Sequence, residues 1–167
     1  FEVNTLATLR ILNILRSWSK KPRFIFASSV AVYGLCSDPK LNELKSVTVP
    51  VSNYCVSKLA GERYVYVFAR QYDLPAINCR IFPTYGPGLR RQVVYDFINK
   101  LSKNPGSLEI FGDGRQARDL NFIDDLVENM IRVAQKARYG GETYNLCSGR
   151  LYTTKEIAET VADAMNL

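Results

Sequence analysis

The chain has 167 residues, a formal net charge of +6 and 47% hydrophobic residues, a composition that favours a folded domain and excludes a disordered tail. No segment reaches the roughly 20 uninterrupted apolar residues of a membrane-spanning helix, so we expect no membrane partner. The sequence contains no histidine and its four cysteines are far apart, which argues against histidine-dependent catalysis and a bound metal, and favours reduced thiols and a cytoplasmic location.

Apolar periodicity and turn residues predict helices and strands that alternate, as in a parallel sheet with crossover helices. In chain order we expect a helix at about 2–18, a strand at 23–28, a loop to 52, a helix at 53–72 and a strand at 75–82. We then expect a helix at 91–103, short strands at 108–111 and 119–122, a helix at 124–137, a strand at 142–146 and a helix at 153–166. The last helix begins with a capping sequence, from Thr153 to Glu156. The fold class predicted from this order is α/β.

The first predicted strand ends in two serines. The apolar run Phe24 to Ala27 is typical of a parallel strand buried on both faces, and Ser28 and Ser29 follow it directly. Ligands of open α/β sheets bind outside the carboxyl ends of the strands. These two hydroxyl groups therefore stand where chemistry is expected.

Tyr54 and Lys58 lie one helical turn apart in the next predicted helix, so their side chains share a face. At about 4 Å and an effective dielectric constant of about 20, an ammonium attracts a phenolate by roughly 4 kcal/mol. This attraction is enough to make a tyrosine a useful base near neutral pH. Such pairs also occur by chance, so the context decides whether this one is catalytic.

That context is a resemblance to a known family. The segment Ser28 to Gly34, which reads Ser-Ser-Val-Ala-Val-Tyr-Gly, is followed about twenty residues later by Tyr54-x-x-x-Lys58. This pattern resembles the extended short-chain dehydrogenase/reductase family, whose best-known members are nucleotide-sugar epimerases and dehydratases. Four further blocks resemble the family's motifs in the right order: Asn4–Leu9, Arg80–Gly88, Ile110–Asp119 and Tyr144–Gly149.

Three residues depart from the family pattern: Ala7 and Cys147 replace glycines, and Pro83 stands where an asparagine often contacts the substrate. The Gly-x-x-Gly-x-x-Gly turn and the ribose-binding acid with which the family begins do not occur in the chain. The resemblance therefore implies an N-terminally truncated sequence. It leaves NAD and NADP open as cofactors and predicts that this fragment alone is inactive.

The resemblance implies a Rossmann-like doubly wound parallel sheet, of which the chain holds the C-terminal part, with a smaller α+β substrate-binding portion. Residues 1–85 would form the remaining part of the NAD-binding domain and carry the catalytic residues. Residues 86–167 would form most of the substrate-binding portion, with segments around 115–146 returning to the Rossmann domain.

The family motifs also imply roles for single residues. The implied catalytic residues are Ser29, Tyr54 and Lys58. The implied NAD-binding residues are Asn4, Ala27, Ser28, Tyr54, Lys58 and Phe82. The implied substrate-binding residues are Ser29, Tyr33, Pro83, Arg91 and Arg118. For Asn4 a role at the helix start, for Tyr33 simple packing and for Arg118 an ion pair with Asp119 remain alternatives.

The residues after Ser29 narrow the reaction that the resemblance implies. Dehydratases of the family usually carry acidic residues at the positions of Val30 or Ala31, where this chain has only aliphatic side chains. We therefore expect a nucleotide-sugar 4-epimerase that transfers hydride reversibly to tightly bound NAD through a 4-keto intermediate. A reductase or 4,6-dehydratase of the same family, or a non-catalytic NAD- or nucleotide-sugar-binding module, is the alternative.

The positive charge allows two classes of partner, namely anionic small molecules and nucleic acid. No recognition helix or aromatic-basic RNA motif occurs, and arginines suited to phosphate contacts cluster in the family-like segments: Arg80, Arg90, Arg91, Arg115 and Arg118. We expect a nucleotide-diphosphate sugar as substrate and no nucleic acid. The helices at about 2–18 and 53–72 resemble those that pair across a four-helix homodimer interface.

Overall fold

The computed structural model describes residues 1–38 and 40–167. These described residues form five α-helices: α1 (Ala7–Arg16), α2 (Asn53–Gln71), α3 (Gln92–Lys103), α4 (Ile123–Lys136) and α5 (Thr154–Ala164). The seven strands are β1 (Phe24–Ser29), β2 (Ala76–Ile81), β3 (Thr84–Tyr85), β4 (Ala117–Asp119), β5 (Asn121–Phe122), β6 (Gly140–Leu146) and β7 (Leu151–Thr153). A π-helical turn (Glu2–Leu6) leads into α1, and a 3-10 helix (Val30–Tyr33) follows β1.

The chain divides into two compact units. The first unit contains Phe1–Phe82 and Glu128–Leu146, and the second contains Pro83–Val127 and Cys147–Leu167. In the part of the chain that the structure describes, no helix is long and apolar enough to cross a membrane.

The first unit contains a three-stranded parallel sheet in the order β1-β2-β6. Arg80 of β2 is in register with Ser28 of β1 on one side and with Asn145 of β6 on the other. Because the strands are parallel, their carboxyl ends meet at one edge of the sheet. The predicted α/β class with a parallel sheet is confirmed, and Ser28 and Ser29 stand at that edge.

Helix α2 packs closely on the sheet. Val65, Phe68 and Ala69 of α2 are buried with Leu12 of α1 and Phe26 of β1. Gly61 permits this approach, because a Cβ atom there would lie 2.4 Å from Phe26 Cζ and 3.1 Å from the carbonyl oxygen of Asn4. The packing brings the N-terminal half of α2 against the end of β1.

The second unit packs two helices together. Phe97 and Leu101 of α3 are buried against Ile157, Ala158 and Val161 of α5. Strands β4 and β7 pair in antiparallel fashion beside them, and β3 pairs with β5 in parallel. The capping sequence predicted before α5 is confirmed: Thr153 and Glu156 form a reciprocal capping box.

Some predicted elements were wrong. Residues 108–111 form no strand; Leu108 and Ile110 instead pack against the core of the second unit, which explains their apolar spacing. The strand predicted at 119–122 is divided into β4 and β5. The first helix ends at Arg16 and begins as a π-helical turn, and the short strands β3 and β7 were not predicted.

Candidate active site

Ser29 ends β1 with its side chain already oriented. Its Oγ accepts a hydrogen bond from the backbone N–H of Ala31 at 3.2 Å and so caps the 3-10 helix. Among residues 1–38 and 40–167, no group accepts the hydroxyl proton of Ser29. The half-buried hydroxyl group is therefore fixed in place and can still donate to a ligand.

Tyr54 lies in the first turn of α2, which begins where the Ser52 hydroxyl accepts a hydrogen bond from the N–H of Cys55 at 3.3 Å. Its phenol is half exposed, with 50% of the residue accessible to solvent. An exposed phenol at the edge of a sheet can meet a ligand without moving.

Lys58 follows one turn later. Its Nζ donates to the carbonyl oxygen of Ala27 at 2.8 Å and lies 6.0 Å from the centroid of the Tyr54 ring. Burial lowers the pKa of Lys58 from its ordinary value. An ammonium has three donors, and the single protein hydrogen bond leaves two of them for a ligand.

The other expected NAD-binding residues have contacts within the first unit. Asn4 donates to the hydroxyl oxygen of Ser57 at 3.1 Å, and that hydroxyl donates to the carbonyl oxygen of Tyr54 at 2.8 Å. The backbone N–H of Phe82 donates to the carbonyl oxygen of Leu146. The roles of these residues toward NAD stay predictions.

Tyr33 is buried rather than displayed at the surface. Only 2% of the residue is exposed, and its hydroxyl donates to Asn145 Oδ1 at 2.9 Å. The guanidinium carbon of Arg80 stands 4.5 Å from the centroid of the Tyr33 ring. These contacts give Tyr33 a place in the interior of the first unit, and its contact with substrate stays a prediction.

Arg80 does not join the phosphate-binding arginines that we expected. Its side chain is 5% exposed and forms a bidentate ion pair with Glu62, with Nε–Oε1 and Nη2–Oε2 distances of 2.9 and 2.7 Å. Burial alone would lower the pKa of Arg80, but the contacts with Glu62 outweigh it and raise the pKa above its usual value. The guanidinium of Arg80 therefore binds the carboxylate of Glu62 in the interior of the protein.

Glu62 is the residue that our sequence analysis missed. Its carboxylate also accepts a hydrogen bond from Ser28 Oγ at 2.5 Å, so Ser28 is tied to α2. A signal for it was present, because Tyr54, Lys58 and Glu62 recur every four residues and therefore share one face of α2.

The second unit contains its own cavity, of about 310 Å³. Arg118 of β4 lines it together with Thr154 and Phe111, whose ring is 79% exposed. Lys100 Nζ lies 5.0 Å from the centroid of that ring. Asp96 and Glu109 also line the cavity, so its exposed aromatic ring and mixed charges suit a flat, polar ligand.

Three more residues of the second unit bear on the predictions. The carboxylate of Asp119 accepts the backbone N–H groups of Ser148 and Gly149, each at 2.8 Å, so it holds a turn instead of pairing with Arg118. Arg91 is exposed immediately before α3, and the carbonyl oxygen of Pro83 accepts the N–H of Asn121.

Residues 1–147 match the sequence profile of the NAD dependent epimerase/dehydratase family. The chain belongs to this family. The resemblance that we noted in the sequence is thereby confirmed, since the matched range includes the serines at the end of β1 and the Tyr54-x-x-x-Lys58 pair.

Similar curated proteins include epimerases. The chain is 32% identical over 160 residues to YtcB of Bacillus subtilis, described as an uncharacterized UDP-glucose epimerase, with 96% of this chain and 50% of that protein covered. It is 32% identical over 148 residues to a UDP-glucuronate 4-epimerase of Thermodesulfobacterium geofontis, with coverages of 88% and 44%. The chain thus spans about half the length of these relatives.

Solved structures share the fold. A UDP-glucuronic acid 4-epimerase from Bacillus cereus, in complex with UDP-glucuronic acid and NAD, superposes with a TM-score of 0.85 at 26% identity and covers 98% of this chain and 52% of its own. A dTDP-glucose 4,6-dehydratase from Bacillus anthracis, in complex with NAD, gives 0.86 at 23% identity, with coverages of 99% and 52%. The Rossmann-like fold expected from the motifs is confirmed.

Proposed function

We propose that the protein containing this chain is a nucleotide-sugar 4-epimerase that uses tightly bound NAD. The observation that carries the proposal is the edge of the sheet in the first unit, where the half-exposed phenol of Tyr54 lies on one helix face with Lys58, and Ser29 keeps a donor for a ligand. One relative named as a UDP-glucuronate 4-epimerase and one named as an uncharacterized UDP-glucose epimerase support the same reaction class.

In the proposed mechanism, Tyr54 removes the proton from the C4 hydroxyl of the sugar. Lys58 lies beside this tyrosine, with Nζ 6.0 Å from the centroid of the Tyr54 ring, and Ser29 donates its free hydrogen to the same sugar oxygen and orients it. NAD bound beside Lys58 would supply reversible hydride transfer at C4, and the 4-keto sugar would turn between removal and return so that its other face receives the hydride. Tyr54 then gives the proton back, so the reaction consumes neither base nor cofactor.

The residues present fit the nicotinamide half of NAD. Lys58 has two N–H donors left for ribose hydroxyl groups after its hydrogen bond to Ala27. Asn4, Ala27, Ser28 and Phe82 are the remaining proposed contributors, and Ser28 would contribute through its backbone because its hydroxyl already donates to Glu62. No Gly-x-x-Gly-x-x-Gly turn for the pyrophosphate occurs in these 167 residues, so the fit concerns the nicotinamide end.

The cavity of the second unit is the proposed site for the nucleotide. Phe111 offers a ring face to a base, and Arg118 offers a planar fork that suits a diphosphate. Arg91 and Pro83 stay proposed substrate contacts. The turn held by Asp119 steadies the strand that carries Arg118.

The absence of an acidic side chain at Val30 and Ala31 favours epimerisation over dehydration. Removing water from a sugar needs a further acid or base, and these two positions in the 3-10 helix, directly after Ser29, carry only apolar groups. The chemistry is therefore proposed to stay at one carbinol carbon.

A homodimer is proposed as well. Helix α1 and the residues after it expose Ile11, Ile14 and Trp18, which recur at helical spacing, and α2 exposes Val56 and Val67. Exposed apolar side chains on two neighbouring helices are typical of an interface. Pairing of α1 and α2 with their copies would give the four-helix arrangement expected from the family resemblance.

The test is an NMR assay of the full-length protein with NAD and a panel of UDP-, GDP-, CDP- and dTDP-hexoses together with UDP-glucuronate. We expect two C4 epimers to interconvert without net formation of NADH. Tyr54→Phe should lower kcat by about 10²-fold or more, because it removes the acid–base group. Tyr66→Phe, an exposed tyrosine of the same helix, is the control and should keep full turnover.

Other products would contradict the proposal. A 4-keto-6-deoxy sugar would identify a dehydratase, and stoichiometric consumption of reduced cofactor would identify a reductase. Binding of NAD and sugar nucleotide without any turnover would leave a binding module. Full turnover by Tyr54→Phe would exclude the assigned base.

A further inference from the structure

We propose that Glu62 is a positioning residue that sets Ser29 against Tyr54 and Lys58. Helix α2 contacts β1 through two side chains one turn apart: Lys58 donates to the carbonyl oxygen of Ala27, and Glu62 accepts from the hydroxyl of Ser28. The next residue of β1 is Ser29. These contacts, at the two residues immediately before Ser29, fix the position of Ser29 along the axis of α2 and its orientation toward that helix.

The carboxylate of Glu62 is itself held rigidly. Arg80 binds both of its oxygens, and the two side chains are 5% and 3% exposed. A planar, bidentate pair shielded from water allows little rotation of either partner. Ser28 therefore donates to an acceptor whose position is determined by β2 as well as by α2.

Further contacts at the level of Ser28 connect all three strands of the sheet. Ser28, Arg80 and Asn145 are in register on β1, β2 and β6. The Tyr33 ring, which follows Ser29 by four residues, lies against Arg80 and donates its hydroxyl to Asn145. These contacts tie the ends of three strands and the 3-10 helix together, one residue before Ser29.

The consequence for Ser29 is positional. Its Oγ must meet the same substrate oxygen as the Tyr54 phenol, and a displacement of about 1 Å can cost up to about 10²-fold in rate. The catalytic part of this inference rests on the proposed function. The geometric part does not, because it concerns only how the end of β1 is held.

A purely structural ion pair would behave differently. Loss of the Ser28 hydrogen bond would then lower the thermal stability and leave kcat unchanged below the melting temperature. A positioning role predicts that kcat falls while the KM for sugar nucleotide and the amount of NAD bound to the protein stay the same, since Ser28 is buried and its hydroxyl is already used.

The first test compares Ser28→Ala with Thr143→Val in the full-length protein. Thr143 is the matched control, because its hydroxyl accepts one hydrogen bond, from Asn78, in the same sheet but away from Ser29. We expect Ser28→Ala to lower kcat about tenfold with the KM for sugar nucleotide within about twofold and the bound NAD unchanged, and Thr143→Val to leave kcat, this KM and the bound NAD unchanged within about twofold. A kcat for Ser28→Ala within twofold of the wild type overturns the inference.

The second test is a double-mutant cycle with Glu62→Gln. If Glu62 acts on catalysis through Ser28, the double variant should be little slower than the slower single variant, whereas additive losses would contradict the inference. Should Glu62→Gln fail to fold, the comparison of Ser28→Ala with Thr143→Val still decides.

A readout without turnover separates this inference from the proposed function. In hydrogen exchange, Ser28→Ala should release the amide of Ala31, which is bound to Ser29 Oγ, while Thr143→Val should not. Unchanged exchange at Ala31 refutes the positioning role even in an active epimerase. Faster exchange in Ser28→Ala, together with a wild-type protein that converts no sugar, would support the geometry and reject the proposed function.

Discussion

At the scale of a single residue, the partly buried position of Lys58 costs stability and leaves N–H donors for a ligand. Burial lowers the pKa of Lys58, so the charged form is disfavoured where it stands. One carbonyl oxygen, that of Ala27, is its hydrogen-bond acceptor in the protein. A methionine could fill the same space without this cost, which supports the proposal that the ammonium binds a ligand and acts beside Tyr54.

Cys79 is a second residue whose pKa is changed by burial. The residue is fully buried in β2, and burial raises the pKa of its thiol from 9.0 to about 11. The folded state therefore keeps a proton that the unfolded state releases, so the stability contributed below pH 9 is lost as the pH rises to about 11. We expect the free energy of unfolding to fall less steeply with pH in Cys79→Ala than in the wild type over this range.

The measurement is denaturant unfolding at several pH values, with Cys36→Ala as control because Cys36 is only partly buried. The slope of Cys36→Ala should follow the wild type. Equal slopes for Cys79→Ala and the wild type would contradict the assignment to Cys79.

At the scale of elements, the contact of α2 with β1 depends on Gly61. Alanine is a better helix former by about 1 kcal/mol, so Gly61→Ala would stabilise an isolated helix. In the protein the added Cβ would lie 2.4 Å from Phe26 Cζ and close to the carbonyl oxygen of Asn4. We expect a net loss of about 1–3 kcal/mol, typical of overpacking.

Chemical denaturation measures this loss. Gly106→Ala is the control: its nearest neighbouring atom is 3.8 Å away, so its stability should change by less than about 0.5 kcal/mol. Adding Phe26→Leu to Gly61→Ala should recover part of the loss, because it removes the ring that clashes. No recovery would place the strain at the Asn4 carbonyl instead.

The elements that the sequence predicted well share a local cause. The capping box of Thr153 and Glu156 and the periodicity of α2 depend on residues within a few positions of one another. The alternating apolar residues of 108–111 led to a wrong strand prediction. Leu108 and Ile110 pack against the helices of the second unit, so their alternation reflects this packing and not strand pairing. Strands as short as β3 carry too few residues for any pattern.

The residues of the candidate site were also predictable where local sequence motifs define them. Ser29, Tyr54 and Lys58 stand in motifs, and one helical turn brings the last two together. Glu62, which lies on the same face, was not predicted because its partner Arg80 is 18 residues away and Ser28 is 34 residues away. Local spacing cannot indicate contacts of that separation, and the sheet register that creates them appears only in the fold.

At the scale of the whole molecule, the proposed homodimer explains exposed side chains that neither unit uses. Ile14 and Trp18 are 57% and 51% exposed, and Val56 of α2 is 52% exposed. Burying such residues between two copies would contribute about 25 cal/mol for each Å² of apolar surface removed from water. A charge placed among them would oppose association.

We therefore expect Ile14→Lys to convert a dimer of the full-length protein into a monomer, measured by light scattering after size-exclusion chromatography. Ile98→Lys is the matched control, because Ile98 is similarly exposed at 43% but lies on α3 in the second unit. The emission of Trp18, the single tryptophan of these 167 residues, should shift to shorter wavelength as concentration drives association and should stay unshifted in Ile14→Lys, with any tryptophan outside these residues replaced by phenylalanine in both proteins. A wild-type monomer at all concentrations, or equal loss of the dimer in both variants, would reject this interface and leave the exposed apolar faces of α1 and α2 to contacts within the longer chain.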